Sequence, residues 1–385
     1  MESSVRPFSF RAELIKSASL IAWDELPAAN VAWLDCVHRL CQTIMQNDKP
    51  FGGIPFLRVG DFRQVAPVVM GSGCTPARLA CVKSFTVWTQ FVLLSLHAPI
   101  WSARDPSYTA FVNRIGEDYI HLSVSLDLLA TLPSVTDCID FLYPPDVLLN
   151  LLACLKRAFL SPKNIPVDDF NIKVLDCLPG EECTLLSTLL LLLFLTFHLR
   201  SVDMFYSTDS IKEDSDAPED ELRPDFLAML THTGVPPHLL RLKRGCVCSI
   251  MHNLSVRKGL VKNARVIVHS LHHLFVQVQV INNRDRSLGT VHCIPRIWFK
   301  FNPPYSSWTI RRLQFPLRLA YACTFNGRVG LTLDKAVLDQ RSPVFAHGQL
   351  YTALSHVRSR DDCRVLFNEG DGPETENVVY RELLL

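Results

Sequence analysis

Residues 19–27 read SLIAWDELP, a short apolar run that ends in two carboxylates, Asp24 and Glu25. An unbroken apolar run of this length is the pattern of a strand buried on both faces of a parallel sheet. Pro27 opens a predicted helix in which Trp33, Val37, Leu40, Cys41 and Ile44 recur at helical spacing. Residues 51–53 (FGG) mark a turn, and Ile54 to Val59 reads as a second strand leading into Gly60-Asp61. Strand, helix and strand, with polar residues at both strand ends, predict an α/β layer. Ligands of such sheets sit beyond the carboxyl ends of the strands. The α/β texture returns near the C-terminus. Leu317 to Thr324 is followed by a strand around Ala336 to Asp339, a helix near Gly348 to Val357 and a strand from Cys363 to Phe367. Between Leu240 and about Ile297 the runs are short and alternating, which predicts a small β-rich insert.

The chain has 385 residues, enough for two or three domains, with 48% apolar and 20% charged residues, a globular balance. Its thirteen cysteines include no CxxC pair; Cys246 and Cys248 lie one residue apart. Such usage predicts reduced, intracellular thiols and supports neither a zinc site nor a disulfide scaffold. Arg6, Arg11 and Lys16 lie among serines as in a transit peptide, but Glu13 and the smooth run into residues 20–23 read as the approach to a core strand. No secretory signal is visible.

A formal net charge of +1 conceals a sorted distribution. From Arg241 to Ala320 there are fourteen Lys or Arg and one acidic residue, Asp285. From Asp203 to Asp225 nine carboxylates face only Lys212 and Arg223, and the stretch reads as an exposed acidic linker. The basic segment is an electrostatic footprint for nucleic acid; its bland alternative is a solvated face with no partner. Phe275, Trp298, Phe299, Phe301, Tyr305, Trp308 and Phe315 are interleaved with it, as stacking platforms for bases or as ordinary core. Residues 184–199, TLLSTLLLLLFLTFHL, fall short of the roughly 20 needed to span a bilayer. A membrane segment, an insertion into an existing fold and a buried helix are the open readings.

Asp24-Glu25 at a strand end suits nucleotide hydrolysis, one carboxylate holding Mg²⁺ and the next orienting the attacking water. A glutamine after the second strand, Gln64, suits a γ-phosphate sensor. Beyond this the chain resembles the Pif1 family of DNA helicases. The resemblance rests on LIAWDELP, PFGG and GDFRQVAPVV as motifs II and III, with HLLRLKRGCVCSIMHNL, GLVKNARVIV, RRLQFPLRLAYACTFN and SPVFAHGQLYTALSHVRSRDD following in order. It is most similar to the branch carried by Helitron transposons.

The resemblance implies two RecA-like lobes with ATP and Mg²⁺ between them, moving 5′ to 3′ on single-stranded or forked DNA in repair, recombination or transposon replication. It also implies a small barrel, similar to Src-homology-three domains, inserted in the second lobe. On this basis residues 1–120 are a partial first lobe and 121–239 a connecting region opening the second. That region carries an apolar insertion at 184–205 and an acidic linker at 206–225. The barrel is 240–308, and 309–385 completes the second lobe. Asp24 would bind Mg²⁺, Glu25 act as base and Gln64 sense the γ-phosphate. Gly60, Asp61, Arg63, Thr324, Asn326, Gly330, Thr332, Gln349, Tyr351, Ser355 and Arg358 would couple nucleotide to DNA. Arg241, Lys243, Arg244, the Val256-Arg257-Lys258 stretch, Lys262 and Arg265 would supply the DNA-binding cations. A nuclear location is expected.

The departures from the family are chemical. No GxxxxGK[ST] occurs in the sequence, and Gly71-Ser72-Gly73 lies after the DE strand and lacks the lysine. The family's loop precedes that strand, so the chain is expected to begin inside the first lobe, an upstream segment or partner supplying the rest. Pro99, Ile100 and Trp101 stand where the family has asparagine, methionine and arginine. Gly327-Arg328-Val329 stand for lysine, serine and glutamine, and His356 for the arginine of the last motif. An arginine finger is worth about 10³ to 10⁵ in rate, and a neutral histidine does not replace it. Sequence alone thus predicts an ATP-dependent helicase by descent with impaired turnover. The alternative is a non-catalytic DNA-binding remnant, and a third reading is a membrane protein anchored by the leucine run.

Overall fold

A computed structural model describes residues 3, 5–69, 73–96, 100, 102–178, 202–211, 224–281, 288–303, 308–328 and 332–384. They divide into two compact units. One comprises Met1–Pro133, Leu160–Pro162 and Thr324–Leu385; the other comprises Ser134–Phe159 and Lys163–Cys323.

In the first unit the DE run forms the strand Ile21–Trp23, parallel to Phe56–Arg58 with Trp23 opposite Arg58. Both strands therefore point their carboxyl ends, and with them Asp24-Glu25 and Gly60-Asp61, the same way. The helix expected from Pro27 begins later. Leu26–Ala28 is a single tight turn, Ala29 is extended, and the α-helix runs Val31–Met45. Asn30 is its N-cap, accepting the Ala32 N–H at 2.9 Å. Leu34, Cys41 and Ile44 form its buried stripe. Phe51 stacks on Phe56 at 4.0 Å, and with Leu26, Val82, Phe85 and the C-terminal Leu383 they build the core of this region. Further on, Lys335–Asp339, Cys363–Leu366 and Ala130–Leu132 form a parallel ladder, and the helix Gln349–Leu354 is buried along its whole length. Mixed helix and parallel sheet is the α/β class expected.

In the second unit the β-rich stretch folds into an antiparallel sheet of five strands. Its order is Leu288–Pro295, Phe275–Ile281, Arg265–Leu271, Val247–Ile250 and Leu317–Leu319. Alternation is clear in Phe275–Ile281, where Val276 and Val278 are fully buried between half-buried neighbours, while Val266, Ile267 and Val268 of the adjacent strand are all buried. A second sheet pairs Ile297–Phe301 with Ile310–Gln314 and that strand with Thr208–Ile211. The expected barrel is corrected here. Among the described residues the five-stranded sheet keeps two different outer strands and does not close on itself.

Val202–Tyr206, which runs across the expected junction of insertion and linker at 205/206, is a strand paired with Leu239–Lys243, and Thr208–Ile211 of the expected linker belongs to the sheet just described. Residues 184–201 of the leucine run and 212–223 of the linker lie outside the described residues. No helix among the described residues is long and apolar enough to cross a membrane.

Candidate nucleotide-coupling site

At the end of the first strand Asp24 is exposed and its Oδ1 accepts the Glu25 N–H at 2.9 Å. Glu25 sits in the left-handed region, φ 54° and ψ 35°, where a non-glycine residue is uncommon and often functional. Leu26 N–H then bonds to Val59 O at 3.1 Å, tying this bend to the second strand. Gly60 is needed on the other side, since a Cβ there would lie 2.2 Å from Pro27 Cδ. Burial raises the Glu25 pKa, and the neighbouring charges of Asp24 and Asp61 raise it further. A carboxylate held this way is a better proton acceptor than a free one.

Asp61 is the hub. Arg63 grips it through Nε and Nη2 at 2.9–3.2 Å and through its backbone N–H at 3.0 Å, while Tyr351 donates its hydroxyl at 2.5 Å. Burial works to raise the Asp61 pKa, but the bonds from Arg63 and Tyr351 together hold it below the ordinary value. Arg63 also reaches Asn113 at 2.9 Å and Glu117 at 3.3 Å on the helix Pro106–Glu117. Gly116 on that helix leaves room for the Tyr351 ring, which a Cβ would meet at 2.5 Å. The motif after the second strand and the last motif therefore meet in one hydrogen-bonded cluster.

Further contacts lock them. Gly348, at φ +71°, runs so close that a Cβ would lie 2.4 Å from Arg63 O and 2.5 Å from Gln64 O. Thr352 Oγ1 accepts the Val65 N–H at 3.1 Å. His347 Nδ1 accepts the Tyr380 N–H at 2.9 Å, so Nε2 carries the proton and donates to Phe62 O at 2.9 Å. Burial lowers its pKa, in keeping with a neutral ring. Gln64 bonds through its backbone N–H to Asp61 O at 3.1 Å.

Gln349 is buried; its Oε1 accepts the Phe345 and Ala346 N–H groups and its Nε2 donates to Asn326 Oδ1 at 3.2 Å. Two of the expected coupling residues are thus joined directly. Thr324 ends the strand Ala322–Thr324, and Thr332 is half-buried. Ser355 Oγ donates to Thr352 O at 2.9 Å, a local bond of the helix end. Arg358 is exposed, whereas His356 is buried. Gly330 lies outside the described residues, as do Val329, Pro99 and Trp101.

Sequence reasoning missed a second clamp. Asp105 caps the helix Pro106–Glu117, accepting the Tyr108 N–H at 3.0 Å, and takes a two-pronged bond from Arg360 at 3.0 Å. The Arg360 fork holds the Asp105 carboxyl well below the usual range. Its sequence signal was Asp105-Pro106, an N-cap followed by proline at the first helical position. His347 gave no signal of its own.

The cations expected to bind DNA separate into two groups in the second unit. Lys243 is 3% exposed and donates to Leu178 O at 3.1 Å. Arg265 reaches Leu155 O and Ala320 O, and Arg241 pairs with Asp176 at 2.7 Å. These three serve the fold. Arg244, Arg257, Lys258 and Lys262 are exposed. Of the aromatics, Phe299, Phe301, Trp308 and Phe315 are core; Trp298 is 45% exposed with Arg311 4.7 Å over its ring. Tyr305 lies outside the described residues, and Phe275 is half-buried.

The first unit thus carries strand-end carboxylates on a parallel α/β layer, and the second a β-rich stretch with exposed cations. The description "PIF1-like helicase" matches residues 1–111, and "DNA helicase Pif1, 2B domain" matches residues 225–271. The human ATP-dependent DNA helicase PIF1 is 26% identical over 352 residues, which cover 89% of this chain and 45% of that protein. The ATP-dependent DNA helicase RRM3 of Saccharomyces cerevisiae is 23% identical over 401 residues, covering 94% of this chain and 53% of its own. The crystal structure of Bacteroides Pif1 bound to single-stranded DNA superposes with a TM-score of 0.60 at 18% identity, covering 100% of this chain and 76% of that one. Pif1 helicase from Candida albicans gives 0.57 at 18%, covering 97% and 77%. The chain is similar to Pif1-like helicases over both matched stretches. It spans about half the length of the curated relatives it matches.

Proposed function

We propose that these 385 residues form the DNA-gripping and coupling part of an ATP-driven DNA helicase, and that alone they bind single-stranded DNA without turning over ATP. The observation that carries this is the Asp61–Arg63–Tyr351 cluster, which joins the strand-end carboxylates to the last motif. On this reading Asp24 holds Mg²⁺. Its oxygen chemistry suits that ion, which is held by one or two carboxylates together with the nucleotide's phosphates. Glu25, its pKa raised, takes the proton of the attacking water. Gln64, fixed by its backbone between Asp61 and Gly348, reports on the γ-phosphate.

Two parts are absent from this set. The sequence has no GxxxxGK[ST] to cradle the phosphates, and the buried His356 stands where the family's arginine would stabilise transition-state charge. A segment or partner chain carrying the phosphate loop would complete the site. Relatives crystallised with single-stranded DNA and with ADP-AlF3 support the choice of ligands.

Salt titration of oligonucleotide binding tests the grip. We expect affinity for single-stranded DNA to fall linearly on a log–log plot, with a slope set by a few phosphate contacts. Binding that ignores salt, or no binding at low salt, overturns the reading.

A further inference from the structure

A parallel sheet is ordinarily covered on both faces, and the two-stranded one in the first unit is covered on one. Ile21, Trp23 and Phe56 pack into the core of that region. Ala22 and Leu57, paired across the strands, point the other way with Leu20 and Val59 two residues along. Ala22 is exposed, and Leu20, Leu57 and Val59 are 44–53% exposed. Four apolar side chains thus stand on a strand face with nothing over them among the described residues.

The same unit carries an apolar stretch with nothing to cover. Residues 92–96 read VLLSL, and Val92, Leu93, Leu94 and Leu96 are 79–97% exposed. No backbone bond among the described residues involves them. The stretch leaves from beside the half-covered sheet. Phe91, just before it, lies 6.3 Å from Phe56 and carries the Arg58 guanidinium 3.8 Å over its ring.

We infer that these two surfaces form an interface between two copies of the chain, residues 92–96 of each lying over Leu20, Leu57 and Val59 of the other. A bare face and a bare apolar stretch flanking one strand satisfy each other reciprocally about a two-fold axis, which closes the pair. Together the exposed side chains offer roughly 800 Å² on each copy, one partner's share of a standard interface and more than a soluble monomer ordinarily leaves bare. No charged residue stands in residues 91–96 or among Leu20, Ala22, Leu57 and Val59. Nucleic acid therefore has no cation to grip there, and two copies meet without like-charge repulsion.

Sedimentation equilibrium of the purified full chain over a concentration series tests this. The mass is expected to rise to that of two chains. Leu94→Asp and Leu57→Lys each put a charge into the apolar contact and should raise the dissociation constant at least about tenfold. Their melting temperatures should match that of the dissociated parent chain, because both side chains stand in solvent in the single copy. Mixing the two variants sets Asp against Lys and should restore pairing that neither shows alone. A monomer at every concentration, as expected if a different polypeptide covers the face, overturns the inference. So does a dimer that neither variant disturbs, a dimer not regained on mixing, or an open-ended aggregate.

Discussion

The first unit holds its aspartate–arginine pair in an open, half-buried cluster; the second hides one in its core. Asp61 and Arg63 are 27% and 28% exposed, and Tyr351, Asn113 and Glu117 share the load. Asp209 and Arg312 are 5% and 1% exposed, with Arg312 also donating to Pro236 O and Leu227 O. One arrangement is open to solvent on about a quarter of each side chain. The other is a staple. The same two residue types therefore form an open cluster in one place and a buried staple in another, and burial separates the two.

The largest effect should come from breaking the staple. Removing one partner of a buried ion pair costs about 3–5 kcal/mol, so Arg312→Ala should unfold the second unit or lower its denaturation midpoint severely. A near-native midpoint would mean that the pair is not the staple described.

Gly348→Ala should come next, destabilising the first unit by more than about 1 kcal/mol. Its Cβ would strike Arg63 O and Gln64 O at a backbone angle that side chains avoid. Tyr351→Phe removes one hydrogen bond from Asp61 and should cost about 1 kcal/mol. A cost as large as that of Arg312→Ala would erase the contrast between cluster and staple.

His347 gives the first unit a pH dependence. Burial, with Lys83 nearby, lowers its pKa, while the Phe62 carbonyl and Asp61 act against that. A histidine kept neutral in the fold takes up protons more readily when unfolded. Its contribution is therefore full above the unfolded value of about 6.5 and declines as pH falls from there toward the folded pKa. Thermal melts from about pH 7.5 to about pH 5.5 should show this decline, and His347→Asn should flatten it. A flat wild-type profile would contradict the neutral clamp.

The smallest stability effects belong to the exposed cations. Arg244→Ala, Arg257→Ala, Lys258→Ala and Lys262→Ala should each leave stability within about 0.5 kcal/mol. Each that meets phosphate should reduce the salt slope of DNA binding by about 1. Lys243→Ala should do the reverse, lowering stability through the lost bond to Leu178 O.

These contrasts show what the sequence could and could not tell. Asp24-Glu25 and Gly60-Asp61 were legible because each ends a short apolar run, and parallel pairing of adjacent runs brings their ends together. The contact of Gly348 with Arg63 and Gln64 was not legible, since nothing in residues 341–350 names the loop they touch. The basic segment misled for a related reason. Counting cations cannot separate Lys243, used on a helix-end carbonyl, from Arg257, which faces solvent. The acidic stretch misled as well, because Asp209 looked like linker until Arg312 was found beside it. The barrel was the remaining overreach. Alternation in residues 265–281 predicts strands and their faces, but closure depends on pairings that the pattern does not encode.

Whether the strand-end carboxylates work without a phosphate cradle is decided by ATP hydrolysis of the purified chain. Turnover should be measured with and without single-stranded DNA, beside a Glu25→Gln control. We expect no DNA-stimulated turnover above that control while salt-sensitive DNA binding persists. DNA-stimulated hydrolysis that Glu25→Gln abolishes would contradict it and make these residues a working ATPase.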